Sequence, residues 1–245
     1  NSDSEIILTI YDTFLDAFIL SEKSNYTLKL DENNLYKLEK TKLGKNFKCS
    51  IGNIISSKPV KRSNIISSDN FTIGKNLRKY KILFGTTLSF ENKYNNNIDS
   101  ILNRLYHIIN ITNLIYQNNF GITFTINEND QKNILNSGIF NEVTNNNYDL
   151  FFNSFNNNFT YKFNQIVDVN SYDVGHVLSD GDGGVALLGS VCDPEFKGEA
   201  WTAADLNNDQ SFIIDYFCHE LGHQFGCNHI HQGSSCNYNH NTSVE

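Results

Sequence analysis

Hydrophobic positions along the chain follow two periods. Between Ile98 and Tyr116 apolar residues recur every three or four positions (Ile98, Ile101, Leu102, Leu105, Ile108, Ile109), the spacing that lines one face of a long helix. The stretch ending at Phe225 has the same character, with Ile214, Phe217, Cys218, Leu221 and Phe225 as its apolar face. Shorter, alternating segments read as strands: Tyr26–Leu30, Leu35–Leu38, Tyr80–Leu88 and Phe120–Ile126. Val174–Leu178 reads as a buried strand and Val185–Val191 as another, joined by a tight turn through Asp180-Gly181-Asp182-Gly183-Gly184. The apolar run Ile6–Leu20 is interrupted by Asp12 and Asp16, so it is too short and too charged to span a bilayer and is expected to be an amphipathic helix over about residues 5–20. Residues 127–160 are expected to be an Asn-rich loop with one helix around Asp149–Phe155, and Tyr161–Val169 an extended or loop segment.

Composition narrows the class. The 245 residues suffice for one large domain or two small ones, and the net charge of −8 argues against a nucleic-acid-binding surface. A polar, Pro-containing, basic stretch at 56–76, with Lys61-Arg62 inside it, divides the chain and offers a place for a protease to cut. The boundary predicts an N-terminal part over 1–75 and a second domain over 76–245, opening near Arg78. With neither an initiator Met nor a signal peptide in view, the chain reads as an excerpt or a processed form. Five cysteines (Cys49, Cys192, Cys218, Cys227, Cys236) suit an oxidising, extracytoplasmic setting. Cys227 and Cys236 could staple the loop that follows the 212–225 helix, Cys192 is expected to pair with a partner beyond Glu245, and Cys218 is expected to be a buried thiol. Asp180 and Asp182 could hold calcium, although turn chemistry explains them equally well; the Asp205–Asp209 run lacks the residues of a calcium loop.

The chemistry concentrates in residues 219–229, His219-Glu220-Leu221-Gly222-His223-Gln224-Phe225-Gly226-Cys227-Asn228-His229. Residues four apart on a helix share a face, so His219 and His223 can offer ring nitrogens to one zinc ion. Glu220 lies one step round, beside a metal rather than on it, where a carboxylate can take a proton from water. Gly226 can turn the chain in a left-handed conformation, which lets His229 return as a third ligand. Three protein ligands leave one coordination position open, the pattern of a catalytic zinc site rather than a structural one. His176 is assigned a structural role, His107 a core or surface position rather than a ligand's, and His231 and His240 solvent-facing loop positions.

This H-E-x-x-H-x-x-G-x-x-H string resembles that of the metzincin metallopeptidases. Three upstream strings narrow the resemblance to the reprolysin-like (adamalysin-like) branch: Tyr172-Asp173-Val174-Gly175-His176-Val177, the run Gly183–Cys192, and Phe212-Ile213-Ile214-Asp215-Tyr216. It covers roughly residues 77–245. Ile230 stands where animal adamalysins usually carry Asp, and the chain contains no Met, so the family's methionine turn is expected beyond Glu245 or lost.

The resemblance implies an α/β fold: a twisted mixed sheet with one antiparallel edge strand and two long helices, preceded by a small α+β pro-domain in residues 1–75. It implies a secreted zinc endopeptidase acting on protein or peptide substrates, made as a zymogen. His219, His223 and His229 would hold zinc (Zn2+) and Glu220 would act as general base. The edge strand, through Val185, Ala186, Leu187, Leu188 and Gly189, would pair with an extended substrate backbone. Cys49, as a thiolate, could fill the open zinc position and hold the enzyme inactive. Two rivals remain: a non-catalytic zinc module for adhesion or assembly, which has no need of Glu220, and a zinc peptidase whose third ligand is a distant Glu, against which Gly226 and His229 argue.

Overall fold

The computed structural model of the chain describes residues 4–10, 15–21, 24–30, 33, 35–41, 76–147 and 159–229. Cys49, Cys236, His231, His240, nearly all of the 56–76 stretch and the helix expected at 149–155 lie outside the described residues.

The first four strands, β1 (Ser4–Ile10), β2 (Leu15–Ser21), β3 (Tyr26–Leu30) and β4 (Tyr36–Lys40), form an antiparallel meander in chain order. The helix expected over 5–20 is therefore corrected to a pair of strands, with Ile6 opposite Ile19 and Leu8 opposite Ala17. A run this dense in apolar residues satisfies both periods; its β-branched content (Ile6, Ile7, Thr9, Ile10, Ile19) favours the extended form once a partner strand is at hand. Phe18 is fully buried and joins the core of the larger unit that follows.

That unit is built on a five-stranded sheet in the order β6-β5-β7-β9-β8. Its elements are β5 (Arg78–Thr86), α1 (Leu88–Asn92), α2 (Ile98–Phe120), β6 (Ile122–Thr125), α3 (Glu128–Ser137), α4 (Phe159–Ile166), β7 (Val174–Asp180), β8 (Gly183–Ala186), β9 (Ala200–Ala204), α5 (Gln210–Phe217) and α6 (Cys218–Gln224). β6, β5, β7 and β9 run parallel, and β8 is antiparallel to β9 at the sheet edge. Alternation along the strands divides the core in two. Ile82, Phe84, Val174 and Leu178 face α2, α5 and α6 with Leu105, Ile108, Phe217 and Leu221. Leu83, Val177, Trp201 and Ala203 face the other side with Ile134, Phe140 and Phe163. Burying each Val, Leu, Ile or Phe side chain among these contributes about 1.5–3 kcal/mol.

Several boundaries differ from expectation. α3 and α4 replace the loop expected at 127–160 and the extended segment expected at 161–169; both are short, and their sequences are rich in Asn, which hides the helical period. Asn127 caps α3 through the Asn129 N–H, and Gln131 on α3 bonds both the N–H and C=O of Phe84, standing in for a neighbouring strand along that part of β5. The strand expected at Val185–Val191 lies earlier and is shorter. It ends at Ala186; the Leu187 N–H still bonds Glu199 O, and Leu188 and Gly189 belong to a turn.

The helix entering the histidine motif also departs from simple spacing. α5 is π-helical, with the Cys218 N–H bonded to Ile213 O, and α6 continues it as an α-helix. The wider turn rotates the apolar face, so that Phe212, Ile213, Tyr216 and Phe217 are buried while Ile214 is only half-buried. Asp209 stands at the N-terminus of this helix but makes no cap bond; Asn208 accepts from the Ser211 N–H instead. The Asp209 carboxylate is buried against Arg104 at 2.6 Å, His107 at 3.3 Å and Lys29 of β3 at 2.8 Å. Burial alone would raise its pKa, but these cationic and hydrogen-bonding neighbours outweigh that and hold it well below the ordinary value.

Candidate metal centre

α6 carries His219 and His223 one turn apart. Three contacts fix the helix where they project. The Tyr116 hydroxyl of α2 donates to Cys218 O at 2.8 Å, and the N–H groups of Gly189 and Val191 donate to His223 O and Gln224 O. After Phe225 the chain reverses through Gly226, whose φ of 92° lies in the region that glycine tolerates. The reversal is closed by the Gly226 N–H to His223 O and the Cys227 N–H to Gly222 O, and it returns His229 to the first two histidines.

The three Nε2 atoms converge: His219 to His223 at 3.0 Å, and each of them to His229 at 3.1 Å. His223 Nδ1 lies 2.5 Å from Cys227 O, which fixes the proton on Nδ1 and leaves Nε2 with its lone pair facing the other two rings. Burial, with His223 and His229 alongside, pushes His219 down to about 4, so its ring is neutral at physiological pH. Nitrogen lone pairs brought this close lack donors among themselves and suit a cation. Zinc–nitrogen bonds of about 2.0–2.1 Å in a tetrahedron put ligand nitrogens about 3.3 Å apart, close to the spacing seen, so the residues present fit zinc. Among the described residues, these histidines form a cluster able to hold a metal ion.

Glu220 is fully buried, and its side chain lies against Gly184 of β8. Of the edge-strand residues expected at the site, Val185 and Ala186 are in β8, Leu187 ends its pairing, and Leu188 and Gly189 turn toward the C-terminal end of α6. Cys49 lies outside the described residues. Cys218 is a partly buried thiol beside Thr112, and burial pushes it up to about 12. Asp182 accepts from the Tyr216 hydroxyl at 2.8 Å and Asp180 pairs with Lys93 at 3.2 Å, so protein groups engage both carboxylates of the 180–184 turn.

The sequence did not disclose how α6 is held to the sheet. Gln224, fully buried, donates through Nε2 to Gly175 O and Lys197 O, which turns its Oε1 toward His176. Burial pushes His176 down to about 3, so one ring nitrogen carries a proton and the other does not. Nδ1 therefore donates to Gln224 Oε1 at 2.9 Å, and Nε2 accepts from the Thr202 hydroxyl at 2.8 Å. His176 has the structural role expected of it: it ties β7 and β9 to the residue after His223. His107 is likewise structural, buried against Asp209. Gln224 and Thr202 carry no motif, and only spatial proximity identifies them.

A family model described as "Metallo-peptidase family M12B Reprolysin-like" matches residues 102–230, a span that runs from α2 to just past His229.

Proposed function

Because that match covers more than half of the chain, the protein belongs to the reprolysin-like M12B metallopeptidases, a family of zinc-binding proteases, and we propose that it is itself a zinc-dependent endopeptidase that cleaves protein substrates. The observation that carries the proposal is the triangle of Nε2 atoms with a buried carboxylate on the adjacent helical position.

His219, His223 and His229 hold the zinc, which when bound supplies Lewis-acid polarisation of water and of the scissile carbonyl. Glu220 takes the proton of the attacking water and later delivers it to the leaving amine. The walls of its buried site keep bulk water from competing for that proton. An extended peptide adds to the outer edge of β8, antiparallel to it, through Val185 and Ala186, with Leu187–Gly189 leading away from that edge; the position of β8 at the end of the strand order supports this. The cysteine content supports an extracytoplasmic setting. The basic, Pro-containing 56–76 stretch supports removal of residues 1–75 by cleavage, with Cys49 as the group that silences the zinc beforehand.

The test is Glu220→Gln. Turnover of a generic protein substrate should fall at least about 10²-fold while zinc stays bound. Wild-type activity in that variant would overturn the assignment. A wild-type chain that binds zinc but never cleaves, before or after cleavage in 56–76, would point to the non-catalytic module.

A further inference from the structure

Gly184 sits in β8 directly over the carboxylate of Glu220. A Cβ built on Gly184 would lie 2.5 Å from Glu220 Oε1, 2.7 Å from its Cγ and 2.8 Å from its Cδ, all far inside van der Waals contact. The three nearest neighbours are thus atoms of one side chain. The carboxylate occupies the space that any other residue at 184 would fill.

The strand behind this contact is fixed. Gly184 pairs with Thr202 of β9, whose hydroxyl engages His176, and Asp182, two residues earlier, is held by the Tyr216 hydroxyl of α5. β8 therefore cannot yield without disturbing the sheet and α5, whereas the Glu220 side chain turns about three bonds and can. Its buried site offers few alternatives, so the backbone of Gly184 is the wall that selects one placement of the carboxylate.

We infer that Gly184 is a positioning residue for Glu220: by lacking a side chain it admits the carboxylate against β8 and sets where the general base stands relative to the metal-holding histidines. This rests on the reading of Glu220 as general base. It also explains why the strand opens with glycine on the face toward α6, where an apolar residue would bury more area. A methyl group at 184 forces Glu220 Oε1 back by roughly 1 Å to reach ordinary contact, and misplacement on that scale costs about 10²-fold in rate.

The experiment compares wild type, Gly184→Ala, Glu220→Ala and the double variant in the full chain, reading kcat, KM and zinc content, with the visible spectrum of the cobalt-substituted protein as a readout independent of activity. Gly184→Ala should lower kcat about 10²-fold, with KM and zinc content little changed and the cobalt spectrum retained. Alanine at 220 removes the Cγ, the Cδ and the carboxylate that the methyl would meet, so the double variant should be no worse than Glu220→Ala alone; a purely structural defect would multiply through both backgrounds. Full activity of Gly184→Ala, loss of its zinc, or the same penalty in both backgrounds would each overturn the inference. Should Gly184→Ala fold poorly, its stability is measured in a Glu220→Ala background. There the clash is gone and the methyl should cost nothing; unfolding there would equally overturn it. Glu220→Gln run in parallel separates the two readings. If it is inactive while Gly184→Ala is unimpaired, only the positioning role fails; if it is active, the general-base reading fails first.

Discussion

Replacing Glu199 by glutamine gives a stability change whose sign depends on pH. Glu199 is 3% exposed just before β9, where its Oε1 accepts from the Thr160 N–H at the first turn of α4. Burial pushes its carboxyl up to about 7 from an ordinary 4.5, against the opposing pull of the Thr160 and Phe159 hydrogen bonds. Between those two values the folded chain keeps a proton that the unfolded chain has released. Folding stability from this group is therefore fully present below pH 4.5 and is lost as the pH rises to about 7. The shift corresponds to about 3 kcal/mol. Glutamine keeps the acceptor for Thr160 and cannot ionise. Urea unfolding of wild type and Glu199→Gln across pH 4.5 to 8 should show the variant gaining on wild type by about 3 kcal/mol, with nearly all of the gain made by pH 7. Taking the difference removes the titration of every group the two proteins share, the histidines included. A difference that is flat in pH, or that runs the other way, would refute the claim that burial governs this carboxyl.

Two further outcomes follow from the buried charges and the histidines. Arg104→Met removes the guanidinium from the Asp209 carboxylate and should cost about 3–5 kcal/mol in urea unfolding at neutral pH. The cost should shrink as the pH falls below 3.8, where the unfolded aspartate protonates, because the depressed carboxyl contributes fully above that value and progressively less as the pH falls toward its own lower pKa. His229→Ala should release zinc, read by metal analysis after gel filtration; in wild type a chelator should abolish cleavage and added zinc restore it. Retention of tightly bound zinc by His229→Ala would show that His229 is not a ligand.

The metal centre was legible in the sequence because its geometry is mostly local. His219 and His223 need only a helix, and His229 needs only the turn that Gly226 supplies. Strand β3 was likewise legible, residue for residue, and α2 to within four residues of its C-terminal end, since each has one period and no competitor. Where a segment satisfied two periods, as Ile6–Leu20 did, or where Asn masked the period, as in α3 and α4, the local period was insufficient: hairpin pairing of β1 with β2 decided the first, and burial of Ile134, Phe159 and Phe163 against the sheet the second. The π-helical widening of α5 lies in the same class: it trades helix geometry for burial of Phe212 and Phe217 against the sheet.

The sequence by itself thus determined which atoms could bind a metal and which carboxylate stands beside them. Only the tertiary structure decided how those atoms are held. It set Gln224 and His176 to lock α6 onto the sheet, gathered Arg104, His107 and Lys29 around Asp209, and laid Gly184 against Glu220. The physical reason is that ligand spacing within one helix and turn is fixed by backbone dihedrals, whereas the orienting contacts join residues 36 to 180 positions apart, and their identity is chosen by the space and unsatisfied polar groups the fold leaves between them.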